Sequence, residues 1–359
     1  MYVRRLDLAN FRNFDQLHIE FPKGINMIIG PNASGKTNMI EAIYYLTMAR
    51  SFKKANDENL IKFDTNLAQI RLNYEKDNIS NLLEVDINKK GKLVKYNSQK
   101  QTSVAKIIGN LVSVVYSPIS VNLFRSEPQE RRKFIDSSLC LLSLDYMSDL
   151  AEFKKILKER NNSLYMEDEI VINILTKRLI DISYNIYVKR NKFIQLLNKE
   201  ISDIYYKLFD TTSKLTLEYV TNLSKIVTKE EFIKDMEDKF NSIKSEERKK
   251  KTTLIGPQRD DLIAYLDSKE VYSYSSQGQN RLVVLALYLS LANILKQQYK
   301  SEPILLLDDV LSDLDIKRKQ LLIEFLKQKE QVFITTTDNE FVQDGINAIY
   351  IEELLNKGV

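Results

Sequence analysis

Between the buried apolar run INMIIG and a segment with apolar residues at helical spacing (Met39, Ile40, Ile43, Tyr44 and Leu46) the chain places GPNASGKT, Gly30 to Thr37. This is the G-x4-G-K-[ST] pattern in the strand–loop–helix setting that the pattern requires. It commits the chain to an α/β architecture, because a strand must deliver the loop to the start of a helix. Gly30 and Gly35 let backbone N–H groups converge on phosphate oxygens without a Cβ in the way. Gly30, Pro31, Asn32, Ala33, Ser34, Gly35, Lys36 and Thr37 are the candidate nucleotide contacts. Lys36 is expected to reach the terminal phosphates, and the Thr37 hydroxyl to ligate Mg²⁺.

PILLLDD, Pro303 to Asp309, supplies a complement: a buried strand ending in two carboxylates. Asp308 at the strand end is expected in the Mg²⁺ shell, and Asp309 to orient or deprotonate an attacking water. The LSDLD that follows puts Ser312, Asp313 and Asp315 in a polar loop.

Composition narrows the remainder. Lys and Arg total 53 against 49 acidic residues, a net charge of +4, so a nucleic-acid surface must come from local clustering. One cysteine, Cys140, excludes an intramolecular disulfide and any multi-cysteine zinc site. The start has no signal-peptide core, and no uniformly apolar run approaches about 18 residues. A reducing, cytoplasmic location without a membrane span is the expectation.

Along the chain, strand patterns occupy 2–8, 17–21, 67–74, 81–88 and 92–96, and return at 262–266, 271–274, 304–308 and 332–337. From Pro128 to about Lys251 the sequence is mostly helical and charge-rich, with KLTLEYV as one strand-like interruption. The longest helix candidate, 168–208, carries an apolar stripe at 171, 175, 179, 182, 186, 193, 197, 201 and 204, a packing face. Further helices are expected at about 279–298 and 315–328. The order suits an ATPase head split between 1–120 and 252–359 around a helical lobe at 121–251.

YSSQGQNR, Tyr274 to Arg281, has the S-x-G-Q core of the ABC-type signature just ahead of a helix, where amides and the helix terminus favour an anion. Together with LANFRNFDQL, ARSF, EPQERRKFID, GPQRDDL and QVFITTTD, these stretches resemble the bacterial RecF recombination-mediator family along the whole chain. The resemblance implies an ABC-type, SMC-like head with a helical lobe and no long coiled coil. It implies ATP-controlled binding to double-stranded and gapped DNA, with RecR, RecO and RecA as pathway partners. It also implies a homodimer driven by ATP, in which Ser276, Gly278 and Gln279 touch the γ-phosphate held by the other subunit. Ile119, Ser120, Ser126 and Gln258 depart from the family pattern, which bears on communication between lobes and on hydrolysis.

Candidate DNA contacts are Lys53 and Lys54, the hairpin lysines Lys89, Lys90 and Lys92, and Lys249, Lys250 and Lys251. Arg12 is a candidate for nucleotide or DNA. A transporter subunit would carry its signature nearer the phosphate loop, and SMC proteins need far longer heptad arms. The competing function is a head that uses ATP as structural glue without hydrolysing it; Asp309 argues for hydrolysis.

Overall fold

The computed structural model describes residues 1–209, 212–224, 228–312 and 314–356, so Asp313 lies outside the described residues. The chain forms two compact units. The first comprises Met1–Asn122, Asp203–Thr212 and Ser276–Val359; the second comprises Leu123–Ser202 and Ser213–Ser275.

In chain order the first unit opens with β1 (Tyr2–Phe11), β2 (Phe14–Glu20), β3 (Gly24–Ile29) and helix α1 (Lys36–Met48). It continues with β4 (Leu67–Lys76), β5 (Ile79–Asn88), β6 (Gly91–Tyr96), β7 (Gln99–Lys100) and β8 (Ser113–Tyr116). The second unit holds helices α2 (Pro128–Leu142), α3 (Leu144–Met166) and most of α4 (Glu169–Phe209). After these come β9 (Leu215–Val220), α5 (Lys229–Ser242), α6 (Lys244–Lys250), β10 (Asp261–Leu266), β11 (Lys269–Glu270) and α7 (Val271–Tyr274). The first unit resumes with α8 (Gln277–Tyr299), β12 (Ile304–Asp308), α9 (Ile316–Leu326), β13 (Gln331–Thr336), β14 (Ile346–Tyr350) and α10 (Ile351–Asn356).

Two sheets build the first unit. One is antiparallel, in the order β2-β1-β4-β5-β6-β7, and the other is parallel, in the order β14-β3-β13-β12-β8. The antiparallel strands alternate, burying Val3, Leu6 and Leu8 from β1 and Ile70, Leu72 and Tyr74 from β4. The parallel strands are apolar on both faces, with Ile304–Leu307 and Val332–Ile334 all buried, as a covered parallel sheet demands.

Gln331 connects the two sheets. Its side chain is fully buried; it accepts from Val3 N at 2.7 Å and donates to Val3 O at 2.8 Å and Pro22 O at 3.0 Å. Val3 sits where the β1–β4 register shifts, so the amide satisfies backbone groups that the ladder misses there. Helix α8 is long and apolar enough by composition to cross a membrane, yet 72% of its apolar window is buried, which fits a core helix.

In the second unit the predicted stripe of α4 packs inward from Leu175, Leu179 and Ile182 to Leu197 and Ile201. Val171 is the exception: it is exposed, and its neighbour Ile172 starts the stripe. Two expectations change here. Residues 252–275 belong with the second unit rather than the head, because β10 pairs antiparallel with β9 across the two helices between them. Residues 271–274 form a helical turn rather than a strand. The β10–β11 hairpin ends at Glu270, and Ser275 then donates to Val271 O from both its amide (3.2 Å) and its hydroxyl (2.6 Å), closing the turn.

Candidate nucleotide site

Strand β3 lies between β13 and β14, in register from Gly24 to Ile29, and delivers the phosphate loop at its carboxyl end. Gly30 is required by packing, since a Cβ there would come within 2.5 Å of Ile351 Cγ2. Gly35 is required twice over. Its φ of +105° is left-handed, and a Cβ would meet the Asn13 side-chain amide at 2.5 Å. Asn13 also donates to Ser34 O (3.2 Å) and accepts from Asn38 Nδ2 (2.7 Å), so it braces both the loop and the first turn of α1.

Lys36 is buried against its own loop, donating to Gly30 O at 2.7 Å and Pro31 O at 2.8 Å. Burial pulls its pKa below the usual lysine value, while Asp309 and Asp308 work in the opposite direction. Thr37 Oγ1 donates to Asp308 Oδ1 at 2.8 Å, which joins the two predicted metal-site residues directly. Thr335, within QVFITTTD, proves central. Its hydroxyl donates to Asp308 Oδ1 at 2.6 Å and accepts from Asp309 N at 2.9 Å. One side chain therefore holds the Asp308 carboxylate and the Asp309 backbone together. Burial raises the Asp308 pKa above the ordinary carboxylate range, and the bonds from Thr335 and Thr37 only partly offset it. Asp309 is exposed and held in a left-handed conformation (φ +54°).

The donor set fits a bound phosphate chain with its divalent cation. Ser34 Oγ is buried without a hydrogen-bond partner among the described residues. Pro31, Asn32 and Ala33 form the open rim of the loop. The helical bonds of α1 begin with Asn38 N and Met39 N donating to Gly35 O, so the Lys36 and Thr37 amides precede its ladder. One buried carboxylate and one hydroxyl suit Mg²⁺, which keeps several waters.

The signature residues are exposed and fold into a reciprocal cap on α8. Ser276 Oγ accepts from Gln279 N (3.1 Å), and Gln279 Oε1 accepts from Ser276 N (2.9 Å). Gly278 has an ordinary φ, and a Cβ there would find only Ser276 Oγ, at 4.0 Å, so its own chain does not require glycine. Among the described residues no hydrogen bond joins Ser276, Gly278 or Gln279 to the phosphate loop. Behind the cap, buried Asn280 donates to Val121 O at 2.7 Å. A cleft of about 180 Å³ runs from Gln277 and Arg281 past Tyr116 to Asp308 and Asp309. Of the departing residues, Ile119 is half exposed, and Gln258 is tied to Ile255 O at 2.8 Å.

Several candidate cations are committed elsewhere. Arg12 forms a two-pronged ion pair with the fully buried Glu41 (2.8 and 3.0 Å), so it serves the fold. Lys53 also pairs with Glu41 (3.1 Å) and bonds Asn38 Oδ1 (2.7 Å). Glu41 accepts from Ser51 as well, and these partners hold its pKa below the ordinary range against the opposing pull of burial. Lys92 is drawn to Asp57 (2.9 Å) and the Tyr45 hydroxyl (3.2 Å). Lys54, Lys89, Lys90 and Lys249 are exposed; Lys250 pairs with Glu246 (2.6 Å) and Lys251 with Glu167. No sequence signal foretold Asn13 or Glu41, because their partners lie on separate elements.

A parallel sheet carrying a phosphate loop, a carboxylate-ended neighbouring strand and a capped signature helix define an ABC-type ATPase head of the SMC kind. The family model described as RecF/RecN/SMC N terminal domain matches residues 2–356. The DNA replication and repair protein RecF of Geobacillus sp. (strain WCH70) is 37% identical over 96% of this chain and 95% of its own length. RecF of Bacillus subtilis (strain 168) is 35% identical over 97% and 95%. A solved structure described as the recombination mediator protein RecF-ATP in the RecFOR pathway superposes with a TM-score of 0.89 at 30% identity, covering 98% of this chain and 96% of that one. The Smc head domain of Pyrococcus furiosus shares the fold alone, at 16% identity and a TM-score of 0.54. The chain belongs to the RecF family.

Proposed function

We propose that this protein is an ATP-operated DNA clamp of the RecF type, binding duplex and gapped DNA and assisting RecA loading with RecR and RecO. The observation that carries the reading is the assembly of Thr37, Asp308, Thr335 and Asp309 at the carboxyl ends of the parallel strands, together with a signature that, among the described residues, makes no hydrogen bond to its own phosphate loop. Lys36 and the loop amides hold the nucleotide. Thr37 and Asp308 hold Mg²⁺, which when bound screens the phosphate charge. Asp309, fixed by Thr335, orients the attacking water and takes its proton. Gly278, open to solvent, lets the phosphate of a second subunit approach the α8 terminus closely. Burial of Asp308 matches the demand for a cation, and the placement of Asp309 favours hydrolysis over ATP as structural glue.

The trans signature is tested by mixing two inactive variants. Ser276→Arg blocks closure on the partner's nucleotide, and Lys36→Ala loses its own. In the mixture, one site of the heterodimer joins an intact loop to an intact signature. Light scattering is expected to recover ATP-dependent dimer, and phosphate release up to one working site per pair. No recovery in either measurement refutes the arrangement. Dimer without phosphate release, in the mixture and in the unsubstituted protein alike, favours the glue reading.

A further inference from the structure

The GPQRDDL stretch has no part in the nucleotide site described above, yet the second unit devotes three buried arginines, Arg131, Arg160 and Arg190, to this region. Arg190 of α4, 2% exposed, donates to Pro257 O (2.8 Å) and to Asp136 (2.8 Å), and faces Asp260 at 3.5 Å. Asp260 also accepts from Tyr219, and its backbone carbonyl accepts from Arg132 (2.7 Å). Asp261 takes a two-pronged pair from Arg131 at 2.6 and 2.7 Å. On the neighbouring segment, Arg160 of α3 donates to buried Glu247 (2.6 Å) and to Thr253 Oγ1 (2.7 Å), fixing the end of α6.

Buried ion pairs of this kind add little net stability, because desolvation offsets their attraction. What they do here is fix geometry. The turn 256–259 is closed by Arg259 N donating to Gly256 O (2.8 Å), and of its residues Arg259 is the one exposed. Among the described residues its guanidinium makes one hydrogen bond, to Thr253 O at 3.2 Å. Arg259 lines a cavity of about 440 Å³ together with Lys239 and Lys250. Glu246, 2.6 Å from Lys250, is the one carboxylate in that lining, and Asp235 stands 3.2 Å from Lys239.

We infer that the Arg259 cavity is a phosphodiester site that grips the backbone of duplex DNA. A planar guanidinium on a rigid turn matches two phosphate oxygens, and two flanking ammonium groups add charge without base reading. The chemistry would equally accept free phosphate, which the test separates. The inference rests on the DNA-clamp reading and names one surface that carries it.

The test is fluorescence anisotropy of the full chain with ATP and Mg²⁺ on a labelled duplex of about 30 base pairs, across a salt series. One lost phosphate contact lowers the slope of log K against log salt by about 0.9, which is roughly an eightfold loss of affinity near 0.1 M salt and almost none near 1 M. Arg259→Ala and Lys250→Ala are each expected to show that pattern. Arg259→Lys is expected to keep the slope while binding more weakly. Lys155→Ala, at an exposed position of α3 outside the cavity lining, is the control and should change neither. An Arg259→Ala protein with unchanged slope and affinity overturns the site. So does an equal loss in the Lys155 control, which would be a general charge effect. Inorganic phosphate that displaces the duplex at low millimolar concentration, where chloride of the same ionic strength does not, makes free phosphate the ligand and overturns the DNA assignment. If the unsubstituted protein binds no duplex, the clamp reading falls and this site with it.

Discussion

Gly35→Ala offers a sharp test of the loop geometry, because its cost divides into two parts that a second substitution separates. The first part is conformational: an alanine at φ +105° costs about 1–2 kcal/mol. The second is steric, since the new Cβ would lie 2.5 Å from the Asn13 amide and displace it. Displacing Asn13 breaks its bonds to Ser34 O and from Asn38, worth about 0.5–1 kcal/mol each at an exposed position. Gly35→Ala should therefore cost about 2–4 kcal/mol, and Asn13→Ala alone about 1–2 kcal/mol. In the double variant the clash has no target and the two bonds are already gone, so the total should again be about 2–4 kcal/mol. Asn13→Ala should then cost nothing in the Gly35→Ala background, within about 0.5 kcal/mol. Urea unfolding followed by circular dichroism measures this, the chain having no tryptophan. Strict additivity, about 3–6 kcal/mol for the pair, would refute the contact between Asn13 and Gly35.

Replacing Asp308 with Asn should remove a pH-dependent penalty in the nucleotide-free protein. The folded pKa of Asp308 is raised, so its carboxyl favours folding below the unfolded value, and that benefit is lost as pH rises through the folded value. The melting advantage of Asn over Asp should grow as pH rises from about 4 towards neutrality, while the stabilisation by Mg²⁺ and ATP disappears; a pH-independent difference would contradict the burial argument. Arg190→Met should cost about 3–5 kcal/mol, because it leaves Asp136 and Asp260 without their buried cation, and adding Asp260→Asn and Asp136→Asn should return part of the loss. Chemical denaturation checks both, and a loss under 1 kcal/mol would mean that water already satisfies the pocket.

Much of the head was legible in the sequence because its signals are local. The phosphate loop, the carboxylate-ended strand and the capped signature each lie within eight residues, and the structure places the Thr37 hydroxyl 2.8 Å from the Asp308 carboxylate. The stripe of α4 was legible for the same reason, apart from Val171. What escaped depended on distant partners. Lys53, Lys92 and Arg12 look alike as surface cations until Glu41 and Asp57 are seen beside them. The late end of the second unit was hidden because β10 finds its partner in β9, with two helices intervening. Tyr272 and Tyr274 alternate as in a strand, and only the Ser275 hydroxyl on Val271 O reveals the turn.

The position of β3 also governs how the protein is made. Its neighbours β13 and β14 are encoded roughly 300 residues later, and at about 5–20 residues per second the ribosome takes some 15–60 s to supply them. The pairing strands of the second unit are complete by Glu270, so that unit can close while β3 still waits. Throughout that interval Ile25, Met27, Ile28 and Ile29 have neither flanking strand nor finished core, and both edges of the strand are open to other chains. The phosphate loop at its end cannot take shape until the last strands arrive. Newly made protein should thus gain nucleotide binding late and abruptly, and the yield of active protein should respond to translation speed and chaperone supply more than the melting temperature would suggest.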